Sequence, residues 1–120
     1  MPQNTPSVVM AVLCNCTDPS REREFNEWYN NVHLPDVLET PGIVSAVRYE
    51  NNHPRAGEAK YLALYEFDTA DTRQVMKNLS ALMKKKTDQG RMIDCIQVVF
   101  ANTFVKTFER SSLSGLPSPT

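Results

Sequence analysis

Phe25-Asn26-Glu27-Trp28-Tyr29-Asn30-Asn31-Val32-His33-Leu34-Pro35-Asp36, followed by Pro41-Gly42, decides how this chain is read. Phe25, Trp28, Tyr29, Val32 and His33 fall at i, i+3, i+4, i+7 and i+8, which is one face of a helix. A histidine therefore shares the inward stripe with three aromatic rings. An ionisable ring on such a stripe rarely lacks a use or a partner. Pro35 disfavours helical geometry at Leu34, so the spacing predicts that the helix stops or kinks near His33. A short second turn over 35–38 follows, and Pro41-Gly42 marks a reversal of the chain.

Before this helix, Val8-Val9-Met10-Ala11-Val12-Leu13 is a short apolar, β-branched run, read as a buried strand. Thr17-Asp18-Pro19-Ser20 offers two helix caps, Asp18 with Pro19 at the first position, or Ser20. After it, Ile43 to Glu50 alternates in part through Ile43, Ser45, Val47 and Tyr49, a second strand. Lys60 to Phe67 sets Tyr61, Ala63, Tyr65 and Phe67 against Leu62, Leu64 and Glu66, a third. A second helix opens at Asp68-Thr69-Ala70-Asp71, carries Val75, Leu79, Leu82 and Met83 on its core face, and ends at Asp88-Gln89-Gly90. Ile93 to Glu109 is a long β-rich segment with a bulge or bend expected at Ala101-Asn102.

The order is β-α-β-β-α-β, an α+β, ferredoxin-like arrangement whose antiparallel sheet carries helices on one face. The strands are nevertheless apolar on both faces: Val8, Met10 and Val12 against Val9, Ala11 and Leu13; Ile96, Val98 and Phe100 against Cys95, Val99 and Ala101. A bare apolar sheet face needs a cover, and the same face of a second copy supplies one. A homodimer is therefore expected.

The chain has 120 residues, of which 41% are hydrophobic and 22% charged, the balance of a soluble globular protein. One domain over 1–110 and a mobile Ser/Pro-rich tail over 111–120 are expected. The net charge is -1 and no basic stripe is present, which argues against nucleic acid as a main partner. Lys84-Lys85-Lys86 reads as a complement to the dipole at a helix end. No apolar run approaches the roughly 20 residues a membrane span requires, so no membrane partner is expected. Met1 to Ser7 lacks the features of a secretory signal, which points to the cytoplasm. Cys14, Cys16 and Cys95 are an odd set that suggests free thiols in a reducing compartment. No further Cys/His pair completes a zinc site with Cys14 and Cys16, so no metal is expected. Cys14 and Cys95 read instead as small core residues. There is no Gly-rich phosphate loop and no serine-nucleophile signature, which excludes nucleotide cofactors and covalent serine chemistry from the expectations.

The segment Phe25-Asn26-Glu27-Trp28-Tyr29 … His33-Leu34-Pro35-Asp36 … Pro41-Gly42-Ile43-Val44-Ser45-Ala46 resembles the EthD-like branch of the dimeric α/β-barrel superfamily. In that branch an aromatic-rich first helix runs into a His-x-Pro element and a Pro-Gly turn. The resemblance implies two ferredoxin-like halves forming one barrel, with a cleft between sheet and helices in each subunit. It also implies one of several chemistries: cofactor-free oxygenation of aromatic polyketides, cyclisation, dehydration, isomerisation, or haem degradation. The haem enzymes use a histidine elsewhere in the fold, for which this sequence offers no match. By position His33 matches the family's histidine, and Trp28, Tyr29 and Asp36 match its neighbours.

These residues carry the functional expectation. An ordinary histidine pKa near 6.5 lets His33 give and take protons near neutrality, worth about 10²–10⁴-fold in rate. Asp36 could hold one ring nitrogen and set the tautomer. Tyr29 could donate to a developing oxyanion. Trp28, Phe25, Tyr61 and Tyr65 could wall a flat hydrophobic ligand. The expected activity is cofactor-free acid-base chemistry on a small aromatic or polyketide-like molecule, of the dehydratase, cyclase or isomerase type. Cofactor-free monooxygenation is the alternative among enzymes. The structural readings are equally concrete: His33 capping the last carbonyls of its helix, Asp36 serving the next helical turn, and the aromatics filling a core, as in a non-catalytic binding or stress-type dimer.

Overall fold

A computed structural model describes residues 8–112 of the chain. The elements are β1 (Val8–Cys16), a 3-10 turn (Pro19–Arg21), α1 (Glu22–Trp28), a π-helical turn (Tyr29–His33), α2 (Leu34–Val37), β2 (Ile43–Glu50), β3 (Tyr61–Phe67), α3 (Thr72–Asp88) and β4 (Ile96–Val105). The strands form one antiparallel sheet in the order β2-β3-β1-β4. This is the ferredoxin-like α+β fold. Residues 111 and 112 are exposed and carry no regular structure, and the rest of the expected tail, 113–120, lies outside the described residues.

Local chemistry explains the element boundaries. Asp18 is the cap that forms: its Oδ1 accepts from the Ser20 N–H at 3.0 Å and from the Ser20 hydroxyl at 2.7 Å, with Pro19 at the first helical position. Asp71 caps α3 by accepting from the Gln74 N–H at 3.1 Å. Gly90, at φ 75°, supplies the left-handed residue after α3. Gly42 sits at φ 100°, and a Cβ built there would lie 2.6 Å from Val75 Cγ2. Only glycine lets the turn before β2 pack against α3.

Pro35 does not end the helix. The chain stays helical from Glu22 to Val37, and Tyr29–His33 widens to a π-turn in which the Leu34 N–H reaches back to the Tyr29 carbonyl. Proline has no N–H and crowds the carbonyl four residues earlier. One inserted residue opens the helix there and absorbs both defects.

Side chains on one sheet face meet the helices. Val8, Met10 and Cys14 of β1 and Tyr61, Ala63, Tyr65 and Phe67 of β3 are buried with Phe25, Tyr29, Val37 and Val75 in one core. In β2 a register shift after Ile43 changes the parity, so Ala46 and Arg48 face the helices while Ser45, Val47 and Tyr49 face away. In β4 the bulge falls after Val98, opposite Leu13/Cys14, earlier than the expected Ala101-Asn102. Val98 therefore shares the inward side with Ile96, and Phe100 turns outward. Leu13, Leu62, Leu64, Phe100 and Phe104 make the uncovered face apolar, with Phe100 at 40% and Phe104 at 48% exposure.

Candidate functional site

Between sheet and helices lies a cavity of about 190 Å³. Met10 and Val12 of β1, Ile96 and Val98 of β4, and Leu79 and Met83 of α3 make its apolar walls. Tyr29, His33 and Tyr65 are the groups in it with polar side-chain atoms. Two larger hollows, of about 420 and 330 Å³, lie outside and are lined by charged side chains, Arg21, Glu24, Arg91 and Asp94 in one and Arg48 and Glu50 in the other. The apolar cavity has the character of a small-ligand site, though it falls short of the roughly 300–1,000 Å³ typical for drug-sized molecules.

His33 reaches this cavity because the π-turn carries it. Its ring lies against the Trp28 indole, with centroids 4.7 Å apart and planes at 19°, and meets Tyr29 edge-on at 5.0 Å. No side-chain hydrogen bond holds it among the described residues. The helix continues past it, so it caps nothing. Burial lowers its pKa from the ordinary 6.5 to about 4; the Asp36 charge opposes this and the Arg48 charge adds to it. At neutral pH the ring is a neutral imidazole with a nitrogen to offer as a base.

The Tyr29 hydroxyl, buried at the cavity floor, accepts from the Cys14 thiol at 4.0 Å and sits beside Tyr65. Burial first, and then the Tyr65 and Cys14 charges, push the Tyr29 phenol well above its usual range. Burial raises Tyr65 to about 12, with its hydrogen bond to Tyr29 pulling the other way. Both phenols stay protonated and can donate.

Asp36 does not orient the ring. Its carboxylate is buried and takes Arg91 Nε at 2.7 Å and Nη2 at 2.9 Å, with Lys86 Nζ at 3.5 Å. The bond to Arg91 is the main reason its pKa lies below the usual carboxylate value. A forked guanidinium satisfies a buried carboxylate far better than one imidazole N–H would. Lys86, from the basic run, is itself buried between Asp36 and Glu39, whose Oε1 lies 3.0 Å from Nζ.

The aromatic residues divide. Tyr65 lines the cavity. Phe25 is completely buried and packs on Trp28, Tyr29 and Tyr61, so it is core. Trp28 stands behind His33, and its indole N–H donates to the Arg91 carbonyl at 2.8 Å. Tyr61 opens on the separate hollow beside Arg48 and donates to Glu22 Oε2 at 2.5 Å.

Arg48 was not anticipated from sequence. Its guanidinium lies 4.2 Å over the Tyr29 ring and 5.0 Å over Tyr61. Nη1 donates to Asn30 Oδ1 at 2.8 Å and Nη2 to Asn26 Oδ1 at 2.9 Å. No carboxylate pairs with it among the described residues, so its charge is felt at His33 and Tyr65. The signal was the bulge in β2, which alone puts position 48 on the inner face.

The chain belongs to the DUF4286 family. The family, described as a domain of unknown function, matches residues 8–109. This DUF4286 chain is similar in fold to an ethyl tert-butyl ether D (EthD) family protein from Bacillus halodurans, at 19% identity and a TM-score of 0.56, covering 84% of this chain and 99% of that one. It is similar as well to a dimeric ferredoxin-like protein from an uncultured marine organism, at 11% identity and a TM-score of 0.59, covering 88% and 99%. The DUF4286 chain is 36% identical over 61 residues to Core atranone cluster protein 1 of Stachybotrys chlorohalonatus. That match spans 51% of this chain and 26% of the relative, about a quarter of its length. The ferredoxin-like fold implied by the resemblance of the Phe25–Ala46 segment is thus the fold found.

Proposed function

We propose that the chain is a homodimeric, cofactor-independent acid-base enzyme acting on a small, flat, hydrophobic ring compound. The observation that carries this reading is the His33 ring, stacked on Trp28 and free of any protein hydrogen bond among the described residues, facing an apolar cavity. His33 is the base that removes a proton from an acidic carbon or hydroxyl of the ligand. Tyr29 and Tyr65 donate to the oxygen on which negative charge then grows. Trp28 holds the ring plane of His33. Proton removal followed by return at another atom gives isomerisation; loss of water gives dehydration.

The outward sheet face supports the dimer, since Leu13, Leu62, Leu64, Phe100 and Phe104 would be covered by the same face of a second copy. The partial likeness to a protein named for the core atranone cluster is in keeping with a biosynthetic small molecule as substrate.

The test is proton exchange on 2-tetralone, a bicyclic ketone with acidic carbon-bound protons. In D₂O at pH 7 the protein should accelerate exchange about 10²-fold or more over a His33→Phe variant. Equal exchange rates with the two proteins would show that the cavity is not catalytic toward such carbons.

A further inference from the structure

Away from the cavity, two thiols touch. Cys16, the last residue of β1, and Cys95, just before β4, have their sulfurs 3.8 Å apart across 79 positions of sequence. All three cysteines of the chain are free thiols. The backbone holds this contact from both sides: the Thr17 N–H donates to the Cys95 carbonyl at 2.8 Å, and Cys16 is registered against Ile96 in the β1–β4 ladder. The Cys16 thiol also donates to the Asp18 carbonyl at 3.2 Å, in the turn before α1. Cys16 is half-buried and Cys95 is buried, on the helix side of the sheet and not on the outward face. Cys14, the third cysteine, is buried against Tyr29.

We propose that Cys16 and Cys95 form a peroxide-reactive dithiol site that closes to an intramolecular disulfide. The more accessible Cys16, as thiolate, attacks one oxygen of hydrogen peroxide; the O–O bond breaks, leaving Cys16 sulfenic acid and hydroxide, which takes up a proton to become water. The Cys95 sulfur then attacks the Cys16 sulfur, the S–O bond breaks, and water leaves with the Cys95 proton. Two thiols are oxidised by two electrons and one peroxide is reduced to two waters. The sulfurs need only close from 3.8 Å to about 2.0 Å. Burial pushes the Cys95 thiol pKa up, which leaves the first attack on peroxide to Cys16. The bond would staple β1 to the segment 91–95. That segment carries Arg91, the partner of Asp36, and Met92, a wall of the cavity.

The test needs no substrate. The full chain is treated with equimolar hydrogen peroxide, denatured, labelled with N-ethylmaleimide and weighed. The number of labelled thiols should fall from three to one, with a Cys16–Cys95 bridge in the peptide map of the wild-type chain and recovery of all three after dithiothreitol. Cys16→Ala, at the half-buried position, should keep both remaining thiols free of any bridge at the same dose. Three labelled thiols after peroxide, a bridge that includes Cys14, or a bridge between two chains would each overturn the proposal.

Discussion

The Trp28 indole and the His33 imidazole stack at 4.7 Å, and Trp28 is the only tryptophan in the chain. The pair ties a fluorophore to the candidate base. An imidazolium quenches a neighbouring indole, so emission should drop as His33 takes up its proton, with a midpoint near pH 4. A midpoint near the ordinary 6.5 would show that the ring is solvated and that burial is not what controls it.

The same group sets a stability window. The folded pKa of His33, about 4, lies below the unfolded 6.5, so the unfolded chain binds more protons between those values. The contribution is fully present above pH 6.5 and is lost as pH falls toward 4. The gap is worth roughly 3 kcal/mol. Urea unfolding at pH 7 and pH 4.5 should show most of that loss in the wild type.

Two charges act on His33 in opposite directions. Arg48→Gln removes a positive charge that holds the ring neutral, so the His33 pKa should rise from about 4. Asp36→Asn removes the carboxylate that favours the imidazolium, so it should fall further. NMR titration of the His33 ring protons reads both shifts. Asp36→Asn should also destabilise by roughly 1–3 kcal/mol, because Arg91 and Lys86 lose a buried acceptor. Shifts of the same sign in the two variants would remove this electrostatic account of the site.

Much of this was legible in the chain, because one-dimensional patterns report what lies on a helix stripe or a strand face. Of the expected stripe, Phe25, Tyr29 and His33 turn inward, while Trp28 and Val32 are half-buried on the outer hollow; Tyr61, Ala63, Tyr65 and Phe67 alternate inward as written. Val8 to Cys16 extends past the apolar run because Asn15 and Cys16 still pair with Gln97 and Ile96. What pattern could not show was anything decided by an inserted residue or a distant partner. The bulges in β2 and β4 reverse parity, which brings Arg48 inward and turns Phe100 out. The π-turn lets a helix pass through Pro35. Arg91, 55 positions from Asp36, takes the carboxylate that His33 was expected to hold.

Phe100 lies beside Phe104 on the outward sheet face, with ring centroids 6.1 Å apart and planes tilted by 38°. If that face is the dimer interface, Phe100→Glu should place two like charges in it and give a 13.6 kDa species by light scattering, where the wild type gives twice that mass. The substitution is at an exposed position of each protomer, so the fold by circular dichroism should not change. A variant that keeps the wild-type mass would place the contact elsewhere.

His33→Phe separates chemistry from packing. The phenyl ring keeps the stack on Trp28 and the edge contact with Tyr29, and it has no nitrogen to accept a proton. It also has no titration to lose, so its stability should stay nearly level between pH 6.5 and 4.5, where the wild type falls. At pH 7 the larger phenyl ring should cost no more than about 3 kcal/mol, the usual upper cost of adding volume at a packed site. Turnover of a substrate, or exchange on 2-tetralone, should drop about 10²-fold or more. The two readouts answer different questions. A flat stability profile with unchanged turnover would keep His33 as the buried titrating ring and remove it as the base, leaving Tyr29 and Tyr65 as the polar groups on which any chemistry in the cavity would have to run.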